Sequence, residues 1–256
     1  MRYILFLSLI VLASCSGKTE EKTLENSKGK IDGALDAEMK AIDADISTSG
    51  QVATSMRYTK NEDVYIVVNA HLNAGGKFVK IEEDFNDGAK GNNGKNSFYL
   101  KDDKVFATRA YYSDMQAAKP AFVDRITYYD KNEKAIKSIE KRVDYEEDLD
   151  QAEYVEVKTV ALSIDRARRV LDQKGEFETT FQGFIDVNPL KYIIIGEKNS
   201  NGYVSSIRVD YEDDFIKMLL KDQNKYMNRK IFIQFENVVD PTGMQYQSYL
   251  SGKILD

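Results

Sequence analysis

The residues of this chain able to do chemistry fall into three groups: one histidine, several runs of acidic residues, and 16 tyrosines. His71, the only histidine, sits late in an apolar run with no second histidine or cysteine nearby, so it lacks the partners of a nucleophilic pair or a metal site. It reads as a strand-end histidine, hydrogen-bonded or exposed. The runs Glu82-Glu83-Asp84, Glu146-Glu147-Asp148 with Asp150, and Glu212-Asp213-Asp214 supply the hard oxygen ligands that calcium takes. Asp84, Asn86, Asp87 and Gly88 approach the spacing of a calcium loop, but the glycine falls one place early and Lys95 stands where the bidentate acid belongs. These acids therefore read as solvated turn and helix-start residues, with Asp213 and Asp214 favoured by a helix dipole. Two carboxylates also carry out glycoside hydrolysis, yet nothing in the spacing fixes a pair at a working separation. Lys90-Gly91-Asn92-Asn93-Gly94-Lys95 is glycine-rich but lacks the ending of a phosphate loop and reads as a hairpin tip. No catalytic residue, metal ligand or cofactor is assigned.

Tyrosine is the better functional material. Tyr111, Tyr112, Tyr128, Tyr129 and Tyr145 fall in or beside neighbouring expected strands, where adjacent residues point to opposite faces. One face must then present tyrosines to solvent or to a covering helix, and an exposed row stacks on sugars or engages a peptide. Tyr203, Tyr211, Tyr246 and Tyr249 offer the same further along. The ligand-binding candidates are Tyr112, Tyr129, Tyr203 and Tyr246, set against the plainer role of tyrosine as a half-buried sheet residue.

The elements that must position them are mostly strands. Ile31, Leu35, Met39, Ile42 and Ile46 make one stripe of an amphipathic helix that Gly50 ends and that should pack on a sheet. From Val52 to about Tyr145, β-branched and aromatic runs alternate with turn residues. Expected strands are 63–72 and 77–85 around Gly75-Gly76, 97–101 and 104–112 around Asp102-Asp103, and 122–129 and 135–143 around Lys131 to Lys134. The last two hairpins look like two copies of one design. Short connections make sequential antiparallel pairs, so the region reads as a curved meander with the helix over one face.

A helix is expected over 163–172, capped by Ser163 and stopped by Lys174-Gly175. Strands follow at 177–185, 191–197 and 203–210, then a helix at 213–227, then strands at 229–239 and 245–254. This element order resembles an OB-fold, a small Greek-key barrel whose helix joins the third and fourth strands. Gly183 and Gly252 stand where a tightly bent barrel strand needs glycine. A simpler α+β sheet of the same order is the alternative.

The chain has 36 basic and 42 acidic residues, one cysteine, no tryptophan and three prolines. Its acidity disfavours nucleic acid as a partner. Met1-Arg2 followed by the apolar run Tyr3 to Leu12 has the layout of a secretory signal, too short to span a membrane. Leu12-Ala13-Ser14-Cys15 resembles the lipobox of bacterial lipoproteins, which implies cleavage before Cys15 and lipid attachment to it. Acylation at Cys15 would leave no thiol for disulfides or cysteine metal sites. Ser16 to Lys30 is almost devoid of apolar residues and reads as a solvated stalk. Its Lys18-Thr19-Glu20-Glu21 loosely resembles the charged tags of surface-exported lipoproteins of Gram-negative bacteria.

The expected organisation is therefore a signal at 1–14, a lipidated stalk at 15–30, an antiparallel β domain with an N-terminal helix at 31–172 and an OB-like β domain at 175–256. The fold class is mainly β (α+β), a helix-backed meander followed by a small barrel. The expected role is non-enzymatic: a membrane-anchored, cell-envelope lipoprotein, in the outer membrane, binding a protein or glycan. The alternatives are a metal-dependent or acid/base hydrolase using clustered carboxylates, and a structural envelope component.

Overall fold

A computed structural model of the chain describes residues 32–61, 63–88, 92–197 and 202–255. The signal, Cys15 and the stalk lie outside the described residues. The first element is α1 (Gly33–Ser49), opened by Asp32, whose side chain accepts from the Ala34 and Leu35 amides. It is followed by β1 (Gln51–Thr54), β2 (Tyr58–Thr59), β3 (Val64–Leu72), β4 (Phe78–Asp87), β5 (Asn93–Lys101), β6 (Lys104–Asp114), β7 (Ala121–Tyr129), β8 (Ala135–Val143) and β9 (Val155–Val157). After α2 (Asp165–Asp172) come β10 (Thr180–Val187), β11 (Leu190–Gly196), β12 (Val204–Arg208), α3 (Asp214–Lys221), α4 (Gln223–Tyr226), β13 (Ile231–Val239) and β14 (Gln245–Ile254). Among the described residues no helix is long and apolar enough to cross a membrane.

All strands join one mixed sheet in the order β10-β11-β12-β2-β3-β4-β5-β6-β7-β8-β9, with β1 also on β3 and the β13–β14 hairpin attached to β12. Consecutive strands from β3 to β9 pair antiparallel, as short loops require. Asp102 and Asp103, both at positive φ, make the two-residue turn between β5 and β6. The hairpin between β7 and β8 is built differently. Asp130 Oδ1 accepts from the Asn132 and Lys134 amides, the same device by which Asn73 and Asp240 close the β3–β4 and β13–β14 turns. The recurring unit is thus this side-chain-closed turn, not the 98–105 and 127–136 pair.

The sheet's inner face carries the main core. Ile66, Val68, Ala70, Ile81 and Phe98 of the first half meet Phe177, Phe181, Ile193, Ile195 and Ile207 of the second in one continuous cluster. Tyr58 links the halves: it is wholly buried, its hydroxyl donates to the Phe177 carbonyl at 2.9 Å, and its ring meets Phe177 edge-on. The outer face has a smaller cluster in which Met39 of α1, with Leu35 and Ile42, covers Tyr99, Ala107, Ile126, Tyr128 and Ile139. The expected stripe of α1 therefore faces the sheet through Leu35, Met39 and Ile42, with Met39 buried and the others half-buried; Ile46 stays outside the cluster and Ile31 lies outside the described residues.

The C-terminal strands do not form the closed barrel expected of them. β10 meets the residues leading into β13 over one short stretch around a single bridge, Thr180 to Lys230. Two observations explain the opening. The free edge of β12 is shared between β2 at Val204–Thr59 and β14 at Arg208–Ser248, which draws the module into the larger sheet. Along β10 the place of a partner strand is taken by α4, whose Gln223 Oε1 accepts from the Phe184 amide at 3.3 Å. The helix expected over 213–227 is in fact broken at Asp222, a non-helical residue (φ −152, ψ 74) that caps α4 through the Lys225 amide. Gly183 sits at φ +115 at the bulge of β10, and a Cβ on Gly252 would collide with the Phe215 ring of α3. Glycine there serves a bend and a close helix approach.

Candidate functional site

Side-chain alternation sends Tyr65, Val67 and Asn69 of β3 to the outer face, and Asp84 of β4 joins them there. Register carries the same face through Thr59 to Ser206 and Tyr192. α1 covers this face only at the β5–β8 end. At the other end the tip of the β13–β14 hairpin rises beside it and encloses an open groove of about 710 Å³. Gln247 fixes the junction: its side-chain amide accepts from the Arg57 amide at 2.9 Å and donates to the Ser55 carbonyl at 3.0 Å, as a paired strand would.

Tyr65, Tyr192 and Tyr246 supply the groove's aromatic surface. Asn69, Asn237, Gln245 and Gln247 supply amides, and Thr54, Thr59 and Ser206 supply hydroxyls. The guanidinium of Arg57 lies 4.0 Å from the Tyr65 ring centre, and that of Arg208 lies 4.4 Å from the Tyr246 ring centre. Each stack stiffens an arginine without consuming its edge-on N–H donors. Arg57 and Asp84 are the charges in the wall, so the groove is balanced. Burial pushes the Asp84 carboxyl above its ordinary value, against the pull of Lys95, whose ammonium stands 3.6 Å away. Such a surface can stack on flat faces and exchange hydrogen bonds with hydroxyls and amides.

The four tyrosine candidates separate. Tyr246 lines this groove, together with Tyr65 and Tyr192, which the sequence did not single out. Tyr112 lines a smaller pocket on the opposite face. Tyr129 is buried and pins the chain at Leu162, its hydroxyl accepting from the Leu162 amide at 2.8 Å and donating to its carbonyl. Tyr203 packs its ring 4.8 Å from Phe177 at the core's edge. Register could have found Tyr65 and Tyr192, because both share a face with Tyr246 once strand pairing is known; β12 joining β2 across 145 residues is not visible locally.

The other suspected groups hold structure together. His71 Nε2 is 3.0 Å from Glu82 Oε2, and Lys80 bridges Glu82 at 2.9 Å and Asp43 of α1 at 2.8 Å. Burial opposes the charge of Lys80, but the bond to Asp43 and the neighbouring Tyr99 and Glu82 outweigh it and raise its pKa above the ordinary lysine value. For Glu82 burial likewise opposes ionisation, and Lys80 and His71 overcome it, holding the carboxyl below its usual range. Glu83 points to the other face, buried, against Arg166 and Asn96. Asp213 caps α3 through the Ile216 amide and accepts from the Tyr249 hydroxyl at 2.7 Å. Asp84, Asn86 and Asp87 lie along β4, where alternation sends neighbours to opposite faces and prevents a cage. Among the described residues no three histidine, cysteine or acidic side chains converge on a metal-sized site. No protein-family model matches the chain, and no curated protein or solved structure is similar to it beyond chance.

Proposed function

We propose that this chain is a lipid-anchored protein of the bacterial envelope that binds an oligosaccharide in the outer-face groove and performs no chemistry on it. The observation that carries the reading is the groove itself: three tyrosines, four amides and balanced charge in about 710 Å³, a volume within the range of small-ligand sites. Binding is favoured over hydrolysis because one carboxylate, Asp84, stands in the wall, whereas glycoside hydrolysis draws on two. The lipobox-like Leu12-Ala13-Ser14-Cys15 and the polar stretch after it support an anchor at Cys15, and with it the reading of an outer-membrane lipoprotein.

We read 31–172 as the helix-backed domain and 175–256 as an OB-like module. The pairing order β10-β11-β12-β14-β13, the parallel β12–β14 contact and the position of α3 between β12 and β13 support that reading. The groove then uses one face of the module, as such folds do for oligomers.

The test is titration of the chain with envelope oligosaccharides, with Tyr65→Ala and Tyr246→Ala as controls that keep the fold. Saturable binding lost in both variants supports the reading. Capture of a protein instead of a glycan by the same tyrosines would make the groove a protein interface. Binding of neither, with an intact fold, would leave a structural envelope component.

A further inference from the structure

On the inner face of the sheet, sharing only β4 with the groove, lies a second and smaller pocket of about 240 Å³. Phe85 and Asp87 of β4 point into it, while Asp84, the residue before Phe85, points into the groove. Its roof is the segment 160–162, held down by three contacts: the Tyr129 hydroxyl at Leu162, Thr127 Oγ1 donating to the Val160 carbonyl at 3.2 Å, and the Val160 amide donating to Ser138 Oγ at 3.2 Å. Residues on two neighbouring strands, β7 and β8, therefore fix the roof in place.

Two arginines form its walls, and both are preorganised. Arg166 of α2 lays its Nε and Nη2 on Glu83, which is 2% exposed and also accepts from Asn96 Nδ2 at 3.0 Å. Arg125 lays its Nε and Nη2 on Glu140, which is 6% exposed. Ion pairs this deep are poor sources of stability, since apolar pairs of equal volume do as well. They do hold guanidinium groups rigid, and each guanidinium keeps further N–H donors beyond those spent on its carboxylate.

The charge is matched inside the walls. An entering anion finds each guanidinium already paired and meets Asp87, whose carboxylate lies 3.8 Å from Arg166 Nη1. An entering cation meets two guanidiniums. Hydroxyl groups suit the site best, because they accept from arginine and donate to acceptors. One such acceptor is waiting: Asn92 Oδ1, in the pocket wall, is shielded from solvent and has no hydrogen-bond partner among the described residues. A buried acceptor left so is costly unless a donor arrives. Phe85 and Ala110 supply an apolar floor, and Leu162 an apolar roof, for the C–H face of a ring.

We propose that this pocket binds one small uncharged polyhydroxy molecule, a monosaccharide, through Arg125, Arg166 and Asn92. Its volume lies below the roughly 300–1,000 Å³ of sites for larger ligands, so it holds a single ring and not a chain. The site is separate from the groove, on the opposite face of the sheet.

The experiment titrates the whole chain with free glucose, galactose, mannose and N-acetylglucosamine, and with acetate and succinate as anionic probes, followed by calorimetry and by NMR of the Phe85 and Tyr112 rings. The expected result is saturable binding of at least one sugar, with both ring signals shifted, about tenfold weaker in Asn92→Leu and unchanged in Tyr246→Ala. Thr108→Val provides a second variant in the wall should Asn92→Leu disturb the fold. Absence of sugar binding, equal binding by both wall variants, or tighter binding of succinate than of any sugar would overturn the proposal. Loss of binding in Tyr246→Ala alone would assign the sugar to the groove and overturn it equally.

Discussion

The two ends of the sheet's outer face are made of similar residues and are used in opposite ways. At the β5–β8 end, Tyr99 and Tyr128 lie under α1, with Tyr99 donating to Asp43 at 3.1 Å and Met39 buried against the same cluster. At the β2–β3–β12 end, Tyr65, Tyr192 and Tyr246 face an open groove, with Arg57 stacked on Tyr65 and Arg208 on Tyr246. A tyrosine covered by a helix becomes core; a tyrosine beside a raised hairpin stays partly open to solvent. The cover, not the residue type, decides the role.

That comparison predicts stability at the covered end and binding at the open end. The largest effect should come from Ile139→Ala, which removes a wholly buried side chain under α1. We expect a loss of about 2–5 kcal/mol in denaturant unfolding with groove binding intact in the folded fraction. A loss under about 1 kcal/mol would mean that α1 does not seal this end.

Next comes alkaline pH. Burial pushes the Tyr99 phenol up to about 12, above the roughly 10 of an unfolded chain. A group raised in the folded state contributes fully below the unfolded value and loses that contribution as pH rises through the folded one. Stability should therefore fall from about pH 10 toward 12, by about 1.4 kcal/mol per unit for this group, and Tyr99→Phe should flatten the decline. An unchanged slope in that variant would remove Tyr99 from the account.

Asp43→Ala should cost about 1–2 kcal/mol, less than the core change because Lys80 keeps Glu82 as a partner. Lys80→Met, which removes the ammonium and keeps the stem, should recover part of that loss in the double variant, and simple additivity would argue against the coupling. The smallest effect on stability, under about 1 kcal/mol, belongs to Tyr246→Ala, which loses its stack with Arg208. That same change should weaken any groove ligand at least tenfold, and a large stability loss with unaltered binding would invert the assignment of the two ends.

The contrast also shows what strand alternation conceals. Glu82, Glu83 and Asp84 are one acidic run in sequence, yet they serve three places: a bridge to Lys80 and His71, a buried anchor for Arg166, and the groove wall. Local patterning located the strands from β3 to β8 within a few residues, because each is bounded by turn chemistry that acts over four or five positions. The break of the second long helix at Asp222 was hidden, because its apolar stripe continues through Leu220 to Tyr226 while the backbone turns to cap α4 and cover β10.

By itself the sequence determined the β-rich class, the amphipathic helix over 33–49, the hairpins, the absence of any cysteine beyond Cys15, and a chemistry limited to acids, amides and tyrosines. These depend on near neighbours and on composition. Only the tertiary structure decided that β12 would share its edge between β2 and β14, so that the last strands join the large sheet without closing on themselves. It also decided which tyrosines stand open and which arginines are held by buried carboxylates. Those outcomes rest on contacts such as Thr59 with Val204 and Arg166 with Glu83, separated by many tens of residues, where the chain's entropy of closure is offset only by the whole core forming at once.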